Sequence, residues 1–207
     1  MLKVWGRKTS SNVQKVMWAL AEIGEDAERI DIGGPFGKNN EPPYLAMNPN
    51  GRVPTLEEDG FTLWESNAIV RYLARLHGRG LLEPEDAKQC ALANQWMDWC
   101  STILAPAHQD AFVGLIRTPP EKRNDALIEA SRKAMIAAMR ILDAQLAKTA
   151  FLAGPGFSMG DMPAAIFTHR YWSLVPERPD LPHLVRWHSA VAARPGFQDH
   201  VQAVPLS

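Results

Sequence analysis

Asn48-Pro49-Asn50-Gly51-Arg52-Val53-Pro54-Thr55-Leu56, followed by Leu63-Trp64-Glu65-Ser66-Asn67-Ala68-Ile69, decides how this chain is read. Pro49 and Gly51 mark a turn. Val53-Pro54 then opens a strand at its beginning or on an exposed edge, where a proline without an N–H is tolerated. The backbone N–H and C=O of Val53 are thereby left for something other than a neighbouring strand. Glu58-Asp59-Gly60 is a hairpin signal that sets Pro54 to Glu57 antiparallel to Phe61 to Trp64. The second of these strands runs straight into a helix starting at Glu65-Ser66, where unpaired amides and a serine make a seat for a carboxylate. An open backbone edge beside a carboxylate seat describes a peptide-like, anionic ligand.

Towards the N-terminus, Leu2 and Val4 alternate as a short strand, and the loop from Gly6 to Ser11 leads to a helix. Val13, Val16, Met17, Leu20 and Ile23 follow the helical period, and Gly24 stands where a left-handed cap belongs. Ile30 and Ile32 alternate as a second strand, Gly33 to Asn40 is too rich in glycine to be regular, and Tyr44, Leu45 and Met47 predict a brief helical turn. The helix from Ser66 is expected to bury Ile69, Val70, Leu73 and Leu76 and to end at His77-Gly78. A right-handed crossover makes the first two strands parallel, so the unit is an α/β domain with a mixed four-stranded sheet in thioredoxin-like order.

From Glu83-Pro84-Glu85-Asp86 onward the pattern is wholly helical, which places a thioredoxin-like domain at 1–81, a linker at about 82–86 and an all-α helical domain at 87–207. Leu92, Trp96, Trp99 and Ile103 form an apolar stripe up to Pro106, which is expected to kink or end the helix. Thr118-Pro119-Pro120-Glu121 reads as a capping box for a helix carrying Leu127, Ala134, Ala138, Ile141 and Leu146 on one side. Ser158-Met159-Gly160-Asp161 has the same spacing before Met162 to Leu174, and Leu181-Pro182 opens another helix through Trp187 and Val191.

With 207 residues and a net charge of −1, the chain can bury a sizeable core and offers no charge excess for nucleic acid or an anionic membrane. No stretch approaches the ~18 apolar residues of a membrane span, and the start lacks the apolar run of a signal peptide, so a cytoplasmic protein is the default. Cys90 and Cys100 have neither redox nor zinc spacing, and the histidines have no metal spacing, so no metal is expected.

Three motifs in order carry a resemblance that runs over essentially the whole chain: S-x-N-V-x-K-V from Ser10 to Val16, N-P-x-G-x-V-P-x-L from Asn48 to Leu56, and E-S-x-A-I from Glu65 to Ile69. In these the chain resembles the soluble glutathione S-transferases, in the bacterial serine-type, theta/phi-like form. The resemblance implies glutathione as co-substrate, a small electrophilic or hydrophobic second substrate, and a homodimer. It places on Ser10 the hydroxyl that donates to the glutathione sulfur, keeps Ser11 in reserve one residue off register, and brings the Asn12 amide near the sulfur. It has Val53, before a cis Pro54, pair with the cysteinyl amide. Ser66 takes the γ-glutamyl carboxylate and Glu65 the ammonium, while Lys38 or Arg52 meets the glycyl carboxylate. Serine and asparagine are also the best helix caps, and a cap needs no further purpose.

The implied reaction is thiolate attack on an electrophilic carbon. Two other readings stand beside it: a non-catalytic binding or assembly module on the same fold, and a glutathione-dependent peroxide or disulfide reductase. The reductase is disfavoured by serine rather than cysteine at position 10. Trp96, Met97, Cys100 and His108 are candidates for a second-substrate pocket where the two domains meet, although such a stripe more often lines a core.

Overall fold

The computed structural model describes residues 1–207. Its first part runs β1 (Leu2–Trp5), α1 (Ser11–Ile23), β2 (Glu28–Ile30), α2 (Pro42–Met47), β3 (Thr55–Glu58), β4 (Phe61–Trp64) and α3 (Ser66–His77). The sheet order is β2-β1-β3-β4, with β1 parallel to β2 and the other pairs antiparallel, the mixed sheet that the element order predicts. Period-two alternation turns Leu2 and Val4 inward, and Leu56 stands opposite both Val4 and Leu63. β2 ends at Ile30; Ile32 is buried just beyond the strand. On α1 the buried face includes Val13, Val16, Trp18, Ala19 and Leu20, with Met17 and Ile23 only half-buried. On α3 it is Ile69, Val70, Leu73 and Ala74, while Leu76 is exposed, because its position falls past the face that packs on α1.

The chain divides into one unit of Met1–Glu83 with Arg194–Pro205, and a second of Pro84–Ala193 with Leu206–Ser207. This differs from the assignment of all of 87–207 to the helical domain. Arg194 explains the return: its guanidinium pairs with Glu22 on α1, at 2.9 and 2.5 Å, and Glu22 also accepts from Trp18 Nε1 at 2.7 Å. Phe197 then meets the Trp18 ring edge-on at 5.1 Å. Gly196 is required there, since a Cβ would stand 2.7 Å from Trp18 Cδ1.

The second unit contains α4 (Ala87–Trp99), α5 (Ala105–Phe112), α6 (Asp125–Leu146), α7 (Asp161–Leu174) and α8 (Pro182–Ala192). Pro106 neither ends nor breaks its helix. A π-turn at Cys100–Leu104 precedes it, with the Ala105 N–H reaching back to Cys100 O, and this wider turn joins α4 to α5. The buried line on α4 and the π-turn is Ala93, Trp96, Met97, Cys100 and Leu104, whereas Leu92 and Ile103 are exposed. Met97, Cys100 and His108 are therefore core residues of this unit.

Thr118 does not cap α6. Its hydroxyl donates to Val113 O at 2.9 Å and so closes the preceding helix, and Pro120–Lys122 makes only a single 3₁₀ turn. Asn124 is the cap, its Oδ1 accepting from Leu127 N at 3.2 Å. The buried face of α6 is Ile128, Ser131, Met135, Ala138, Met139, Leu142 and Leu146; Leu127, Ala134 and Ile141 lie one position away and face outward.

α7 is buried on nearly every side, and Asp161 anchors its start. The carboxylate accepts from Leu152 N at 2.9 Å, Ser158 N at 3.0 Å, Ser158 Oγ at 3.3 Å and Trp187 Nε1 at 2.8 Å. Complete burial pushes its pKa up to about 6 in spite of these donors. His108 stacks on Phe112 at 5.1 Å and meets Phe167 at 5.2 Å, and its Nε2 has no hydrogen-bond partner. Burial, with Arg170 nearby, holds its pKa down at about 3.

Asp161→Ala strands buried N–H donors that each cost roughly 1–3 kcal/mol when unpaired. The expected loss is about 3 kcal/mol or more, read by urea denaturation near neutral pH. His108 stays neutral in the folded chain and protonates near 6.5 when unfolded, so its contribution is present above that pH and lost as pH falls towards 3. On acidification from about pH 7 to about 5, unfolding free energy should fall more steeply in the wild type than in His108→Phe, by up to about 1.4 kcal/mol per pH unit.

Candidate functional site

β3 begins at Thr55, so Arg52 and Val53 lie outside the ladder and the backbone edge of Val53 has no strand partner. A buried polar cluster holds this turn. Asn48 Nδ2 donates to Arg52 O at 2.8 Å and Thr55 Oγ1 at 3.3 Å, and Asn48 Oδ1 accepts from Asn50 N at 3.1 Å. Tyr44 Oη donates to Arg52 O at 2.7 Å and lies 2.9 Å from Thr55 Oγ1. The Val53–Pro54 bond is cis, as the resemblance implies. The Val53 side chain packs closely on Gly6, where a Cβ would come within 3.2 Å of Val53 Cβ and 2.4 Å of Val13 Cγ2.

The loop after Gly33 docks on the same turn. Asn39 Nδ2 donates to Gly51 O at 2.7 Å, and a Cβ at Gly51 would stand 2.6 Å from Asn40 Oδ1. Lys38 and Arg52, each next to one of these contact points, are both exposed cations. At the end of β4, Glu65 takes a left-handed φ of 69° that turns the chain into α3; its side chain is exposed, and Ser66 and Asn67 behind it are buried.

Ser10 is the N-cap of α1, yet its hydroxyl makes no capping bond, and the residue is 9% exposed. Ser11 is the first helical residue and half-buried. Asn12 points towards α3, its Oδ1 accepting from Ser66 Oγ at 3.3 Å. The structure thus brings Asn12 to Ser66, and Asn39, the residue after Lys38, to the Gly51 carbonyl.

Sequence reasoning gave Lys15, Asn67, Tyr44 and Asn48 no role at the site, although Lys15 and Asn48 are letters of its motifs. Lys15 is 4% exposed, and its ammonium donates to Ser66 Oγ at 3.0 Å and Asn67 Oδ1 at 3.2 Å. The available signal was a cation set between Val13 and Val16 on a buried face. No group of three or more histidine, cysteine, aspartate or glutamate side chains is arranged to hold a metal ion, and no helix is long and apolar enough to cross a membrane.

Residues 1–75 match the glutathione S-transferase N-terminal domain and residues 103–195 the C-terminal domain. The chain is 41% identical to the glutathione S-transferase GstB of Escherichia coli strain K12 over 209 aligned residues, covering all of both chains. It is 34% identical to glutathione S-transferase 3 of Zea mays, covering 99% of this chain and 95% of the plant protein. A theta class glutathione S-transferase from Xanthomonas axonopodis pv. citri, solved with glutathione bound, superposes with a TM-score of 0.95 at 41% identity over 100% of this chain and 99% of the other. By its open Val53 edge, its two serine-bearing helix starts and these full-length likenesses, the chain belongs to the glutathione S-transferase family.

Proposed function

We propose that this transferase binds glutathione along Val53 and at the start of α3, and stabilises its thiolate with the Ser10 hydroxyl for attack on an electrophilic carbon. The observation that carries this reading is the uncommitted hydroxyl of Ser10, at a cap position whose usual role is to bond its own helix. Lowering an ordinary thiol pKa of ~8.5 by ~2 units takes ~2.7 kcal/mol. One hydrogen bond to a charged acceptor supplies ~1.5–3 kcal/mol and a helix N-terminus ~0.3–1 kcal/mol. A neutral hydroxyl at the start of α1 is therefore sufficient, without a histidine base.

The thiol proton leaves to solvent. The thiolate electron pair forms the new C–S bond, and a halide departs with its bonding pair, or an epoxide or activated alkene takes up a proton. Ser10 donates throughout and forms no covalent bond. Val53 N–H and C=O pair with the cysteinyl unit as an added strand would. Ser66 and the first amides of α3 take the γ-glutamyl carboxylate, Glu65 the ammonium, and Lys38 or Arg52 the glycyl carboxylate. Asn12 stands between the two serine-bearing helix starts, and Ser11 is the reserve donor. A cytoplasmic homodimer fits the same reading: Phe61, Trp64, Leu92 and Ile103 are large apolar side chains exposed on the single chain. A purely structural module has no use for both an uncommitted serine at the start of α1 and an unpaired backbone edge at Val53.

Ser10→Ala should lower turnover near neutral pH by ~10–100-fold while glutathione affinity stays nearly intact, from the loss of ~1.5–3 kcal/mol. The ultraviolet band of bound thiolate, followed against pH, should move to higher pH in Ser10→Ala and hold in Ser11→Ala; the opposite pattern transfers the role to Ser11. Ser66→Ala should instead weaken glutathione binding about tenfold by calorimetry, and unchanged affinity there would remove the carboxylate from α3.

A further inference from the structure

The start of α3 is reached from behind by a cation. Lys15 comes from the second turn of α1, and its ammonium contacts both Ser66 Oγ, at 3.0 Å, and Asn67 Oδ1, at 3.2 Å. On its other side the Ser66 hydroxyl donates to Asn12 Oδ1 at 3.3 Å. A serine hydroxyl has one proton and two lone pairs, and an ammonium has donors only. The lone pair facing Lys15 is therefore taken, and the hydroxyl proton has to point away from it. In the unliganded chain that proton rests on a neutral amide oxygen at a long distance, a weak bond that an incoming carboxylate displaces readily.

We infer that Lys15 is a positioning residue for the γ-glutamyl carboxylate of glutathione: its donation to Ser66 and Asn67 turns the Ser66 proton towards the carboxylate and sets a positive charge behind the seat. The inference rests on the reading of Ser66 as that seat. Three effects act in the same direction. Accepting from an ammonium polarises the hydroxyl and makes it a stronger donor. The charge attracts the carboxylate through a partly desolvated path, where the effective dielectric is lower than that of water. Holding Asn67 by its side-chain oxygen fixes the first turn of α3, whose amides have no partner within the helix. Glu65, exposed at the same helix start, supplies the opposite charge for the ligand ammonium.

Lys15 also ties α1 to α3, so a loss of affinity alone would not separate positioning from scaffolding. The separating experiment is calorimetric titration of wild type and Lys15→Met with two ligands, glutathione and 4-aminobutyryl-cysteinyl-glycine, which lacks only the γ-glutamyl α-carboxylate. Wild type is expected to prefer glutathione. Lys15→Met should lose about tenfold in affinity for glutathione and less than twofold for the analogue. Equal weakening of both ligands, or unchanged affinity for glutathione, overturns the inference. A wild type that binds the two ligands equally removes the seat itself, a failure distinct from a wild-type preference that survives in Lys15→Met.

If Lys15→Met does not fold, the Lys15 ammonium is followed by nitrogen NMR in the wild-type protein. Glutathione should shift its signal and the analogue should not; equal shifts, or none, overturn the inference.

Discussion

The site depends on holding the turn from Gly51 to Pro54 rigid without pairing it. A backbone polar group shut away from water and left unmatched costs roughly 1–3 kcal/mol, so a chain usually closes such a turn into the sheet or leaves it loose. Here side chains satisfy it instead. Asn48 and Tyr44 converge on the Arg52 carbonyl and on Thr55 Oγ1, and the Asn39 amide takes the Gly51 carbonyl. The inner side of the turn is thereby matched, and Val53 keeps its backbone for a ligand. Gly6 and Gly51 follow from the same constraint, since a Cβ at either would collide with the packing that holds the turn.

The same logic of selective satisfaction separates the two serine-bearing helix starts. Ser66 is engaged on both sides, accepting from Lys15 and donating to Asn12. Ser10 is buried to nearly the same degree, and its hydroxyl is not used by α1. The γ-glutamyl carboxylate is the same anion before and after reaction, so a pre-oriented donor backed by a cation suits it. The sulfur changes charge during the reaction, and a neutral hydroxyl able to rotate suits that better. A fixed ammonium at the sulfur would stabilise the thiolate further and lower its drive to attack.

The sheet and the turn were legible in the sequence because their signals are local. Gly-Pro punctuation, period-two alternation and the hairpin at Asp59-Gly60 leave few alternatives, and β3 and β4 pair within one residue of the expected register. The helical half was legible only as helices. α4 and α6 carry apolar residues on more than one face, so Leu92, Leu127 and Ile141 match the period as well as the side chains that are buried. Which stripe turns inward is set by neighbours distant in sequence. Pro106 is accommodated by a π-turn, which has no short-range signature, and the return of Arg194 and Phe197 to α1 depends on Glu22 and Trp18, far earlier in the chain. The role of Lys15, as distinct from its place in a motif, was hidden for a related reason: a lysine reads as a solvated charge until the buried acceptors across from it are known.

A helix cap that does not cap is therefore informative in a way that its residue type is not. Serine at an N-cap ordinarily stabilises its helix by ~0.5–2 kcal/mol, and a sequence cannot reveal whether the bond is made. In α1 the cap has the extended backbone conformation of a capping residue, with φ −76° and ψ 123°, yet the bond is absent. The stability forgone is comparable to the ~1.5–3 kcal/mol that a hydroxyl gives a charged acceptor. The helix is held in place by other means, through Val13, Val16 and Leu20 in the core and through Lys15 to α3. Because packing fixes α1 independently of its cap, the Ser10 hydroxyl remains available to a sulfur without loosening the helix that presents it.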